Sequence, residues 1–275
     1  MSIKSIVVHV DSGKATPARL DVALALATEH GAHLVGIHPR DLGMLPFYVE
    51  PSAGLIEQQQ RWVQEEAAQS REMFEKRTGS GGVSAEWRET DGSSAAITAM
   101  NGRYSDLVVV GQTDPDNPVF GTPASLPEDV ALAVGRPVLV VPYIGGPTAF
   151  RRVLVGWNAS REATRAVNDA LPILRKAERV TVLAVNPEGG PDGHGESPAA
   201  DICHHLARHG VKAEAAYQRA EDIKAGDLLL SQAFDMSADL IVMGAYGQSR
   251  LREMVLGGAT RTMLQHMTVP VLLSH

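Results

Sequence analysis

Four glycines, Gly244, Gly247, Gly257 and Gly258, punctuate the stretch DLIVMGAYGQSRLREMVLGGATRTM at residues 239–263. Glycines beyond the carboxyl end of a strand let the backbone come close to a ligand and leave amide N–H groups free to face it. The mouth of a following helix adds a field that favours negative charge. The chemistry open to such a pattern is the cradling of a phosphate, with Ser249, Arg250, Thr260 and Arg261 as further donors. Plain turn glycines between a strand and a helix give the same spacing, so spacing alone leaves both readings open.

Other candidates carry less. SGKA at residues 12–15 is no Walker loop: Val8 stands where its first glycine belongs and Ala15 where Ser or Thr must meet magnesium. His205 and His209 lie one helical turn apart beside His204, a spacing open to zinc, yet no carboxylate or cysteine completes the set and a solvated helix face is the better reading. DGHGES at residues 192–197 reads as a loop and Cys203 as a small buried hydrophobe. No G-x-S-x-G elbow is present.

The elements that must position the glycines come in two matching series. IVVHV at residues 6–10 and VLVGW at 153–157 are short continuous apolar runs, the mark of strands buried on both faces of a parallel sheet. Each leads through a polar turn into a helix. Thr16 with Pro17 reads as one helix start and Gly31 as its end; Ser160 reads as the cap of the other, with Pro172 inside its apolar stripe. Further strands are expected at 32–38, 83–89, 106–111 and 137–141, and again at 179–185, 211–218, 239–244 and 270–273, with helices between. DLVVVG at 106–111 aligns with DLIVMG at 239–244 without a gap as far as the last strands. Alternating strands and helices with buried strands predict an α/β fold: two tandem flavodoxin-like units, 1–145 and 150–275, each a five-stranded parallel sheet with helices on both faces, joined through YIGGPTAF. In such sheets ligands bind beyond the carboxyl ends of the strands.

The glycine spacing, G-x-x-G, nine residues, then Gly257 and Gly258, resembles the signature of the universal stress protein family, as do WNAS at 157–160 and the closing VPVLL. The resemblance implies binding of ATP or a related adenine nucleotide, with Mg²⁺ left open, and pairing through the last strands, here 137–141 with 270–273 inside one chain. It implies a site made of Gly156, Trp157, Asn158, Ala184, Val185, Met243, Gly244, Gly247, Gln248, Ser249, Gly257, Gly258, Ala259 and Thr260. Asn158 takes the place of an acidic residue near ribose and phosphate, backbone groups of Ala184 and Val185 face the adenine, and Met243 to Ala259 supplies the phosphate and ribose side. Two residues depart from the pattern. Neutral Asn158 is a poorer metal ligand than aspartate, and Gly258 lacks the usual hydroxyl.

The first half keeps only Gly111 of the motif. Asp114 stands level with Gly247, and Ala124 and Ser125 with Gly257 and Gly258, while Pro115, Pro118 and Pro123 remove amide donors. The first nucleotide site is therefore expected to be lost, although Asp11 survives. An insert at residues 38–55 with Met44, Leu45, Phe47 and Tyr48 reads as a loop packed on its own unit, or as a cover for a pocket.

The 275 residues carry a net charge of −7, which argues against nucleic acid as a partner. A single cysteine, no leader-like opening and no apolar run near 20 residues lead to the expectation of a cytoplasmic protein that does not span a membrane. The function expected is a stress-response protein whose second half binds an adenine nucleotide and so biases partner contacts. Alternatives are a slow ATPase or nucleotidyl-transfer enzyme, and a scaffold without a small ligand. A homodimer of such chains is a further expectation.

Overall fold

The structure is a computed structural model that describes residues 2–41, 53–79, 82–187, 199–220, 222–247 and 258–275. The insert residues Met44, Leu45, Phe47 and Tyr48, the DGHGES stretch, and Gln248, Ser249, Arg250 and Gly257 lie outside them. In chain order the first half forms β1 (Ser5–His9), α1 (Thr16–His30), β2 (His33–Arg40), α2 (Ala53–Thr78), β3 (Ala85–Asp91), α3 (Ser94–Gly102), β4 (Leu107–Gly111), α4 (Leu126–Ala133) and β5 (Val138–Val141). The second half repeats it as β6 (Arg152–Trp157), α5 (Arg161–Leu174), β7 (Arg179–Val185), α6 (Ala200–Arg208), β8 (Ala213–Gln218), α7 (Ala225–Asp235), β9 (Leu240–Gly244), α8 (Gly258–His266) and β10 (Val271–Ser274).

The strands make one ten-stranded sheet in the order β3-β2-β1-β4-β5-β10-β9-β6-β7-β8. Each half is parallel. The join is antiparallel: Val271 faces Val140, Leu272 faces Leu139, and Leu273 faces Val138. The expected pairing of the last strands within one chain is thus what fuses the halves. These central strands are buried throughout and apolar but for Ser274, and neither half leaves a bare edge at the join.

Two apolar layers flank the sheet, set by the strand period of two. Val109, Leu139, Val155, Val242 and Leu272 face one way, onto Leu20, Leu26, Val167 and Leu174 of α1 and α5. Val108, Val110, Val138, Ile241 and Leu273 face the other, onto Val130, Leu229 and Met263 of α4, α7 and α8. Both layers run through both halves without a break.

Local signals behave unequally. Gly31 ends α1 in the left-handed region at φ 60° and Gly210 follows α6 at φ 80°. Ser160 caps α5, its hydroxyl accepting the Ala163 N–H at 3.1 Å. Pro172 sits inside α5, which continues to Leu174. Thr16 is not the cap of α1: the helix begins on it, and its hydroxyl turns to the Asp11 carboxylate instead.

Candidate functional site

A cleft of about 620 Å³ opens beyond the carboxyl ends of β6 and β9, where the chain connections diverge. Three helices begin at its wall. Ser160, Arg161 and Glu162 come from the start of α5, Ala225 from the start of α7, and Gly258, Ala259 and Thr260 from the start of α8. The first N–H groups of a helix have no partner inside it, so three sets of donors and three positive dipole ends converge on one space. Of the residues expected from the sequence, Gly156, Trp157, Asn158, Val185, Met243, Gly244, Gly247, Gly258, Ala259 and Thr260 line this cleft. Ala184 does not. It is 1% exposed within the sheet, paired with Trp157 on one side and Tyr217 on the other.

The glycines do not all serve one purpose. A Cβ on Gly244 would lie 2.5 Å from the Ala163 amide nitrogen and 2.6 Å from the Glu162 carbonyl carbon. Gly244 therefore lets the first turn of α5 rest on the end of β9; its need is packing, not ligand approach. A Cβ on Gly258 would meet nothing within 4 Å, and one on Gly247 only Glu162 Oε2, at 3.5 Å. Neither is crowded and neither has a positive φ. Those two face open cleft.

Other residues of the loop are tied down. The Ala245 N–H donates to the Ser274 carbonyl, and Thr260 Oγ1 accepts the Tyr246 N–H at 3.4 Å. Tyr246 takes a left-handed φ of 52° without being glycine, a conformation held against its own preference by a buried ring. Its hydroxyl reaches Glu128 on α4 of the first half, whose carboxyl is pushed above the ordinary range by burial and by neighbouring Asp129. Asn158 Oδ1 turns inward to accept the Ser160 N–H at 3.2 Å, closing the turn before α5. Trp157 is half-buried, its ring covering the apolar layer beside the cleft.

Among the described lining residues that spacing does not pick out are Arg161, Glu162 and Tyr246. Arg161 and Glu162 are the charged members among the described lining residues. They pair with each other at 3.1 Å, Arg161 exposed and Glu162 2% exposed. Tyr246 hides in the gap between two motif glycines. Glu162 is the second residue of α5, in the first turn, where an acidic residue is usually only a dipole partner, so its type and place carry little cue.

The matching place in the first half is closed. Ile6 pairs with Leu107 as Val153 pairs with Leu240, which sets Arg19 level with Ala166 and Asp11 level with Asn158. Arg19 is buried and fills the space. A Cβ on Gly111 would collide with its guanidinium. Arg19 Nη2 lies 3.0 Å from Asp11 Oδ1 and donates to Thr16 Oγ1 at 2.7 Å. The Gly13 N–H also donates to Asp11 Oδ1, and Val119 packs over Gly13. Asp114 takes the Asp116 N–H and the Asn117 side-chain N–H, and Lys14 donates to Asn117. Two hollows of about 10 and 40 Å³ are left.

The His205 and His209 rings lie 4.6 Å apart between centres, tilted by 56°, and Arg175 Nε donates to the His209 carbonyl. No group of three or more His, Cys, Asp or Glu side chains among the described residues is placed to hold a metal ion. Cys203 is buried, and burial pushes its thiol pKa up. No described helix is long and apolar enough to cross a membrane.

The sequence model of the universal stress protein family matches residues 149–275. No curated protein matches the chain. Among solved structures, a universal stress protein from Archaeoglobus fulgidus is similar over 99% of this chain and 96% of its own, at 15% identity and a TM-score of 0.72. A functionally unknown protein from Pseudomonas aeruginosa is similar over 99% of this chain and 92% of its own, at 16% identity and a TM-score of 0.60. Residues 149–275 thus match the universal stress protein family, and the whole chain carries the fold of these structures, as two halves in tandem.

Proposed function

We propose that the cleft of the second half binds ATP or a related adenine nucleotide, and that occupancy is read out by the first half. The observation that carries this reading is the convergence of the α5, α7 and α8 starts on one 620 Å³ space that Gly247 and Gly258 leave uncrowded. Helix starts favour anions, and that volume lies in the range of small-molecule sites. Half-buried Trp157 offers a ring face to a base, and Val185 an apolar wall. The first half, 1–145, would serve as support and reader rather than as a second site. Tyr246 is the route, since it lines the cleft and touches Glu128 of α4. A stress-linked cytoplasmic role follows from the family and belongs to the same proposal.

Melting of the full chain with increasing AMP or ATP tests it. A ligand that binds only the folded state raises the melting temperature progressively above its dissociation constant. We expect such a rise in the natural chain and none in Gly247→Val, whose isopropyl group would enter the open space beside Glu162. A flat response of the natural chain to both nucleotides contradicts the proposal.

A further inference from the structure

Glu162 is a buried carboxylate that the nucleotide reading does not use. It is the second residue of α5, lines the cleft and is 2% exposed. One oxygen, Oε1, is held by Arg161 at 3.1 Å. The other, Oε2, is buried with no hydrogen-bond partner among the described residues, and lies 3.5 Å from where a Gly247 Cβ would stand. It is therefore aimed at the loop side of the cleft, the end that the glycines leave open. A buried acceptor without a donor is costly, so a residue kept in that state points to a donor supplied from outside.

Charge makes the point sharper. The field of three helix starts favours one or two negative charges in this space, and Glu162 already supplies one. Arg161 is the cation of the described lining, and it is committed to Glu162. A polyphosphate could recruit Arg161 only by stripping it from Glu162, which would leave two unpaired anions side by side in a partly dry site.

Resting on the adenine reading above, we infer that Glu162 determines specificity in this cleft. It accepts a hydrogen bond from a ligand hydroxyl, as on a ribose, and rejects ligands with many phosphate charges. The cleft then ranks adenosine and AMP above metal-free ATP.

Calorimetric titration of the full chain with adenosine, AMP, ATP and inorganic pyrophosphate, with a chelator present, tests this. The natural chain should bind adenosine or AMP about tenfold or more tightly than ATP, and pyrophosphate weakly. Glu162→Gln keeps the shape and removes the charge; it should raise ATP and pyrophosphate affinity by about tenfold or more, as expected for one charge removed a few ångströms away. Glu162→Asp keeps the charge and should retain the weak pyrophosphate binding. Pyrophosphate needs no adenine pocket, so that arm judges Glu162 even if no adenine compound binds, a result that would count against the adenine reading alone. Equal pyrophosphate affinity in the natural chain and Glu162→Gln, or tighter metal-free binding of ATP than of AMP by the natural chain, overturns the inference.

Discussion

The two halves of this chain share a strand order and differ in what occupies the end of the sheet. In the second half the position matching Arg19 is Ala166, a small buried side chain, and the space at the end of the sheet stays open. In the first half the same level carries Arg19, which reaches Asp11 and Thr16 and lies across Gly111. One long cationic side chain neutralises the acidic turn residue and fills the crevice from within. The lesson is that one fold can fill the crevice at the end of its sheet with its own side chain while the sheet beneath stays intact.

Ways to break this contrast differ in size. The largest effect is expected at Gly244. Its Cβ would strike backbone of α5, which cannot rotate aside, so Gly244→Val should cost about 3 kcal/mol or more by denaturant unfolding. Gly258→Ala, with open space around it, should change stability by less than about 0.5 kcal/mol in the same assay. Equal losses at both glycines would remove the distinction between packing and cleft glycines.

An effect of similar size is expected at the buried pair of the first half. Arg19→Ala leaves the Asp11 carboxylate buried without its cation and should cost about 3–5 kcal/mol, measured by the same unfolding. The double variant Arg19→Ala with Asp11→Ala should recover part of that loss. A loss under about 1 kcal/mol for the single variant would show that Arg19 is not what holds the crevice closed.

A smaller effect is a pH dependence confined to the first half. His9 lies on β1 in full burial, and desolvation lowers its pKa to about 3, against the pull of Asp11 and with help from Arg19 and His38. The unfolded chain takes up this proton near the ordinary 6.5, whereas the folded chain refuses it until about pH 3. Stability from this residue is therefore full above about pH 6.5 and falls as pH drops from there towards 3. Asp11, held below the ordinary carboxylate range by Arg19, His9 and hydrogen bonds in spite of its burial, adds a loss that begins only below about pH 4. Unfolding midpoints measured from pH 7.5 to 4.5 should decline less steeply in His9→Gln than in the natural chain. An identical slope would contradict a neutral, buried His9.

Much of this was legible in the sequence, for identifiable reasons. The strands announce themselves because a parallel sheet covered on both faces needs continuous apolar runs, as in LVVVG and LIVMG. Pairing of β5 with β10 is what the family resemblance implies; its antiparallel direction is seen only in the structure. Gly31 and Ser160 were readable because each acts on its own backbone. What could not be read is contact across long separations. Nothing near Gly244 in sequence says that Ala163 lies against it, so a packing glycine passed for a ligand glycine. Arg19 sits on an otherwise apolar helix face beside Leu20 and Ala23, a cue to burial that becomes clear only once Asp11 is seen opposite. Thr16 reads as a cap because its type fits; the pull of Asp11 is tertiary. Glu162 was hidden for the same reason, since its free oxygen matters only once Gly247 is placed beside it.

The central claim is that one of two equivalent crevices is open. Native mass spectrometry of the full chain with saturating AMP counts ligands per chain directly. One bound nucleotide, absent in Gly247→Val, is the expected result. Two per chain, none, or one that survives Gly247→Val would contradict the account.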